Sequence, residues 1–411
     1  MKTRRFVAML MSVALAAISF CGGVSVGWQK SVLGHHSGQG HDIEGFAVFW
    51  EAWDRLQQLF WFPGALDCRK MTYGAVRGML ASLNDPYSVF LEPAQHRSDS
   101  DRLQGEFEGI GVELVFREDI VLVSSVYPGS PAKEAGILPG DSLMSVDGTS
   151  TAGLPVDEVQ VLIRGPVGTP VMIEVQRDAA SSLILTMKRQ RIEVPSLAWR
   201  LLRPGVGYLH IRTFTDRTPT EVARALGEMN ANNVQAMVLD LRGNAGGTVE
   251  AAVGVLGQLL GEGVAYRELG KDATETRYPV PFNSQAVDWP LAVLVDAATA
   301  SSAEIVAAAI HDHERGLLYG QPTFGKGSVQ AIFPLNDGSS VHLTVARWLS
   351  SAGRALEDLG LLPDVVLESD DEQAEDTVLQ AALNDLQRCL TYSTTSRPCS
   401  SLYGLHTVRD G

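Results

Sequence analysis

Two hydroxyls and one amine carry the chemistry that this 411-residue sequence offers. Leu291-Ala-Val-Leu-Val295 has the length and apolar, β-branched content of a buried strand. Ser301 and Ser302 follow where that strand should turn into a helix, with Glu304 in the first helical turn. Such a position sets a hydroxyl beside free backbone N–H groups and the positive end of a helix dipole. Serine becomes a nucleophile once a base takes its proton. Lys326 stands between Gly325 and Gly327 in Thr323-Phe-Gly-Lys-Gly-Ser328, 25 positions beyond Ser301. A lysine serves as that base when burial brings its pKa down from about 10.4 toward neutrality. Alone, a helix-opening serine is usually a cap, and Gly-Lys-Gly is usually a turn. The phosphate-loop spacing G-x-x-x-x-G-K-[ST] does not occur here.

The elements needed to position these groups can be traced in the pattern. Val234–Leu241 reads as a second buried strand, ending in Arg242-Gly-Asn-Ala-Gly-Gly247 before a helix from Val249 to Leu260. Strand, glycine-rich turn and helix is how an α/β protein aims backbone N–H groups at an anion. Gly207–Ile211, Gly327–Leu335 and Val341–Ser350 read as further strands, and Thr218–Asn230 as a helix. Upstream, the short β-type runs Gly111–Phe116, Ile120–Val126, Val171–Gln176 and Leu183–Met187 surround the glycine-rich turns of a small β domain.

Taken together, Thr299-Ala-Ser-Ser-Ala-Glu-Ile305 and Thr323-Phe-Gly-Lys-Gly-Ser-Val-Gln330 resemble the C-terminal processing peptidases, or tail-specific proteases. These are serine endopeptidases with a Ser/Lys dyad, marked by T-A-S-A-S-E-I and T-F-G-K-G-x-V-Q. The resemblance implies Ser301 as nucleophile, Lys326 as general base and Gln330 as the residue orienting the lysine. Ala and Ser are exchanged after the nucleophile, which makes Ser302 a rival, but the 25-residue spacing favours Ser301. The family's D-L-R-x-N-x-G-G implies an oxyanion site made by the N–H of Gly246 or Gly247 together with that of Ser302. Gly105 to about Arg189 resembles a PDZ domain, with Gly109, Ile110 and Gly111 at the carboxylate of a bound tail and Val112 as a further substrate-binding residue. Arg164 resembles the arginine that faces the protease core in relatives, a regulatory position.

The fold expected is multidomain α/β (α+β) with a ClpP/crotonase-like core. Its parts are an anchor or signal peptide (1–28), a tether (29–42) and a helical region (43–102). A PDZ domain (103–190), the peptidase core (191–366) and an acidic linker with C-terminal helix and tail (367–411) follow. Lys2, Arg4 and Arg5 precede the uncharged run Phe6–Trp28, long enough to cross a bilayer with the catalytic part outside the cytoplasm. His35, His36 and His41 fall in a Gly- and Ser-rich stretch read as solvated linker, so neither metal nor cofactor is expected. A net charge of −15 and a pI near 5.0 argue against nucleic acid. Four cysteines are too few for a disulfide scaffold; Cys389 and Cys399 could be a bridge or free thiols.

A histidine triad lacks support, because none of His210, His311, His313 and His342 has a catalytic motif around it. The resemblance implies protein substrates with accessible C-terminal tails, an activating adaptor and a homodimer or higher homo-oligomer. The alternative reading is a membrane-anchored PDZ adaptor with an inactive protease-like core.

Overall fold

The computed structural model describes residues 46–117, 120–178, 181–367 and 376–392. The expected anchor, the tether with its histidines, the acidic linker and Cys399 lie outside them. Among the described residues, no helix is long and apolar enough to cross a membrane. The chain divides into two units, with the division between Thr72 and Tyr73.

In the first unit, helix α1 (Phe46–Leu59) buries no side chain. Its aromatic residues pack on one another, Phe49 lying 5.1 Å from Trp50 and 6.1 Å from Trp53. Helix α2 (Cys68–Ala81), which runs through the division, begins five residues earlier than Tyr73, where sequence periodicity would start it. Asp67 is the reason: its Oδ1 accepts the Arg69 and Lys70 N–H groups and caps the first turn.

In the second unit, the stretch expected to be helical through residue 102 also gives a strand, β1 (Val89–Leu91), before helix α3 (Pro93–Gln104). The small β domain follows. It comprises β2 (Glu106–Gly109), β3 (Val112–Arg117), β4 (Ile120–Val126), α4 (Pro131–Glu134), β5 (Ser142–Val146) and β6 (Thr149–Ser150). Helix α5 (Val156–Ile163), β7 (Pro170–Asp178), β8 (Ser181–Lys188) and β9 (Gln190–Glu193) complete it. Its sheet runs β3-β4-β5-β7-β8, so β3 is an edge strand. Ile110, Val123, Leu143, Val159 and Ile173 form its separate core.

The larger part is a six-stranded sheet whose last five strands are parallel. Its members are β10 (Leu197–Arg203), β11 (Val206–Ile211), β12 (Ala236–Asp240), β15 (Leu291–Val295), β16 (Leu317–Gly320) and β19 (Val365–Val366). Strands β12 and β15 are buried at every position, which explains their unbroken apolar runs. Alternate residues face opposite sides. Met237, Leu239, Val293 and Val295 pack with helices α6 (Thr218–Ala231), α7 (Val249–Leu259) and α8 (Ser302–Asp312). Ala236, Val238, Ala292 and Leu294 pack with Leu379, Leu383 and Leu386 of helix α9 (Thr377–Tyr392). The C-terminal helix thus seals the second face of the sheet. A second sheet joins β1, β13 (Val264–Gly270), β14 (Glu275–Pro279), β17 (Ser328–Pro334) and β18 (Ser340–Leu349).

Candidate active site

The site is assembled where β12 and β15 end side by side, since Asp240 pairs with Leu294 in the parallel ladder. Ligands in open α/β sheets bind at the carboxyl ends of such strands. Arg242 locks the first loop: its guanidinium grips the Asp240 carboxylate and bonds both oxygens of Asp376. These two carboxylates hold the Arg242 pKa well above its usual range despite burial.

The two loops are then stitched together. Asp296 Oδ1 accepts the Gly243 N–H at 3.0 Å, Thr299 Oγ1 bonds the Leu241 carbonyl, and Ala300 N–H donates to the Asn244 carbonyl. Gly247 lies so close to Phe214 that an added Cβ would sit 1.9 Å from the Phe214 carbonyl oxygen. Only glycine fits. A Cβ on Gly246 would meet the Ser301 Cβ at 2.9 Å, so the glycine turn abuts the candidate nucleophile.

Ser301 is the N-cap of α8, but its backbone is not that of an ordinary cap. Its φ of 58° with ψ of −124° is a strained conformation for a residue with a side chain. Ser302, the rival, is fully buried, and its Oγ finds no hydrogen-bond partner among the described residues. The Gly246 N–H is held by Asn244 Oδ1 at 2.8 Å. Among the described residues, the Gly247 and Ser302 N–H groups have no protein acceptor.

One residue that sequence reasoning treated only as a capping feature connects nucleophile and base. Glu304, fully buried, accepts the Ser301 N–H at 2.9 Å and the Lys326 N–H at 2.9 Å on one oxygen. The other oxygen takes the Gly325 N–H at 2.8 Å and the Thr323 hydroxyl. The signal available in the sequence was the Ser-x-x-Glu spacing of a capping box. Gly325, at φ +84°, passes so close under the Leu356–Gly360 segment that a Cβ would meet the Gly360 nitrogen at 2.7 Å. Trp348 Nε1 donates to the Lys326 carbonyl at 2.8 Å and fixes the other side of the loop.

Lys326 is half-buried. Burial pushes its pKa below the usual 10.5, and Arg102 adds to this; Glu357, Asp85 and Asp99 oppose it. Its Nζ lies over the Tyr87 ring, 4.7 Å from the centroid. Among the described residues no hydrogen bond joins this amine to Ser301 or Gln330. Gln330 instead donates to Ser328 Oγ at 3.0 Å and Thr344 Oγ1 at 3.2 Å. His311 and His313 point to different partners, Asp364 and the Val264 carbonyl.

At the β domain, a groove of about 350 Å³ lies beside the open edge of β3. Phe107, Gly111, Val112, Leu114, Ile163 and Arg164 are among its lining residues. Of the four residues expected at the bound tail, Gly111 and Val112 line this groove, whereas Gly109, which ends β2, and Ile110, which is wholly buried, are not among its lining residues. Arg164 donates to Asp101 Oδ2 of α3 at 2.9 Å and lies over the Phe107 ring, 5.4 Å from its centroid. Burial raises the Asp101 pKa, although Arg164 offsets part of this.

A helix-opening serine in a strained backbone, a partly desolvated lysine and an edge strand with its groove define a hydrolase core carrying a peptide-binding module. Residues 205–367 match the model of peptidase family S41, and residues 122–177 match that of the PDZ domain. The chain is 32% identical over 371 residues to the carboxy-terminal processing protease CtpA of Bacillus subtilis, covering 89% of this chain and 77% of that one. It is 34% identical over 309 residues to the carboxyl-terminal-processing protease of Synechocystis, covering 73% and 72%. The chain belongs to the carboxy-terminal processing proteases of peptidase family S41, which are serine peptidases. A solved structure from Bacteroides fragilis assigned to the S41 proteases shares the fold, with a TM-score of 0.50 and 19% identity over 88% of this chain and 100% of that one.

Proposed function

We propose that Ser301 attacks the scissile carbonyl while Lys326 takes its proton. The observation that carries this reading is Glu304, whose one carboxylate fixes the backbone of both residues. As the Oγ proton passes to Lys326, the Oγ–C bond forms and the carbonyl π bond opens, leaving an ammonium on Lys326 and an oxyanion on the substrate. The Gly247 and Ser302 N–H groups receive that oxyanion; Gly246 is the weaker candidate because Asn244 already occupies its N–H. Lys326 then returns its proton to the departing amine, and water repeats the sequence on the acyl-enzyme. The full burial of Ser302 supports Ser301 over it as the attacking residue. Gln330 acts on the site through Thr344, whose N–H donates to Ser88 Oγ in the turn that carries Tyr87.

The substrate tail adds as a strand to β3, its carboxylate held by the backbone of Gly109, Ile110 and Gly111 and its last side chain against Val112, Leu114 and Ile163. Arg164 senses this occupancy. Its partner Asp101 lies on α3, the helix that also brings Asp99 and Arg102 to Lys326. The enzyme is anchored by Phe6–Trp28 and works outside the cytoplasm. The exposed apolar residues Trp50, Leu59 and Trp61 suit a contact with a second copy of the chain or with an adaptor protein.

The test is cleavage of an unfolded protein bearing different C-terminal tails. Ser301→Ala should abolish it and Ser302→Ala should retain most of it. The reverse pattern would move the nucleophile by one residue.

A further inference from the structure

Asn84-Asp-Pro-Tyr87 looks in the sequence like a turn that stops a helix, with no part in chemistry. The structure gives it a different neighbour. The turn is rigid: Asp85 Oδ1 accepts the Tyr87 N–H at 3.0 Å, Asp85 Oδ2 accepts the Ser88 hydroxyl at 2.6 Å, and Ser88 Oγ accepts the Thr344 N–H at 3.2 Å. This fixes the Tyr87 backbone against β18, and the ring face then lies 4.7 Å from Lys326 Nζ. Aromatic faces attract cations, and more strongly where water is partly excluded.

We propose that Tyr87 is a positioning residue for Lys326, its ring face receiving the amine and carrying the ammonium that forms when the Ser301 proton is taken. This rests on the Ser301/Lys326 reading above. The proton leaves Ser301 Oγ with no change in oxidation state, and the positive charge appears on Nζ, over the electron-rich ring. Carboxylates alone could have served that charge, since Glu357, Asp85 and Asp99 all act on Lys326. None of them, however, is joined to Nζ by a described ion pair. The cationic group is Arg102, which opposes the ammonium; His342 also feels Lys326, but burial lowers its pKa and leaves it neutral where the lysine titrates. The Tyr87 hydroxyl stays neutral in the working range, because burial and the surrounding carboxylates raise its pKa. The ring thus offers a contact that holds the cation without adding a titrating charge.

The sign of the effect follows. A ring that favours the ammonium raises the lysine pKa relative to an apolar wall of the same size. Removing the ring should therefore shift the lysine limb of the pH–rate profile to lower pH and lower the plateau above it, since the amine becomes a weaker base. The experiment is the pH dependence of kcat/KM for the full chain and its Tyr87→Phe and Tyr87→Leu forms, with Lys326→Ala beside them. Tyr87→Phe should keep the midpoint. Tyr87→Leu should move it down by about half a unit to one and a half units. Should Tyr87→Leu fail to fold, phenylalanines of rising fluorine content at position 87 replace it, and the midpoint should fall stepwise as the ring face loses its negative character. An unmoved midpoint in these variants, with Lys326→Ala inactive, overturns the role of Tyr87 alone. A Tyr87→Phe shift as large as that of leucine assigns the effect to the hydroxyl and also overturns it. Full cleavage by Lys326→Ala overturns both this inference and the dyad beneath it.

Discussion

Replacing Glu304 by glutamine changes one atom and separates the wiring of the site from its fold. All four partners of the Glu304 carboxyl donate: Ser301 N–H and Lys326 N–H to one oxygen, Gly325 N–H and the Thr323 hydroxyl to the other. An amide keeps one acceptor and turns the other into two donors. If its oxygen faces Ser301 and Lys326, its NH2 faces Thr323 and Gly325. The Thr323 hydroxyl can reverse and accept, but the Gly325 N–H cannot. The cost is one buried donor left unsatisfied, at about 1–3 kcal/mol, plus three hydrogen bonds weakened by loss of charge. A total of about 2–4 kcal/mol is expected in urea unfolding. The opposite amide orientation leaves both the Ser301 and Lys326 N–H groups unsatisfied, so the first should dominate. Because the Lys326 loop must shift to relieve Gly325, kcat should fall by at least tenfold even where the variant is fully folded, while KM changes little. A Glu304→Gln enzyme with wild-type stability and kcat would refute the claim that this carboxylate positions the dyad.

Other outcomes follow from single contacts. Gly247→Ala should cut kcat about a hundredfold or more, since its Cβ cannot coexist with the Phe214 carbonyl and the displaced N–H is the proposed oxyanion donor; steady-state kinetics checks this. Hydrogen bonds from His311 to Asp312 and Asp364 raise its pKa from 6.5 to about 9. The folded state therefore keeps a proton that the unfolded chain releases, and stability present below pH 6.5 should be lost as pH rises through about 9. His311→Asn should flatten that limb in unfolding experiments run from pH 6 to 10, in steps of about one unit. For Lys326 the sign is opposite. Its depressed pKa means that the folded state bears a disfavoured charge at low pH, so Lys326→Met should raise Tm at about pH 6 and lose that advantage as pH approaches the ordinary lysine value.

The parts legible in the sequence are those written in local pattern. Leu291–Val295 is a strand with the bounds its apolar run suggests, because burial on both faces removes the alternation that would blur it. The glycines around Lys326 marked a tight loop, and the close approach of Gly325 to the Gly360 nitrogen supplies the reason. What stayed hidden depends on distant partners. Glu304 reads as a helix cap until the Lys326 loop, 21 to 22 positions later, folds back to donate to it. Tyr87 reads as a turn residue because strand pairing of β1 with β18 is what brings its turn to the lysine. The strain at Ser301 is likewise invisible in the residue type, since serine ordinarily caps helices in an extended conformation.

The most direct measurement is to label the full chain with a serine-reactive phosphonate and map the modified residue by mass spectrometry. Modification confined to Ser301, slowed severely in Lys326→Ala and absent in Ser301→Ala, is the result expected of a lysine-activated nucleophile in this site. Modification of Ser302 or another residue, or an unchanged rate in Lys326→Ala, would contradict it.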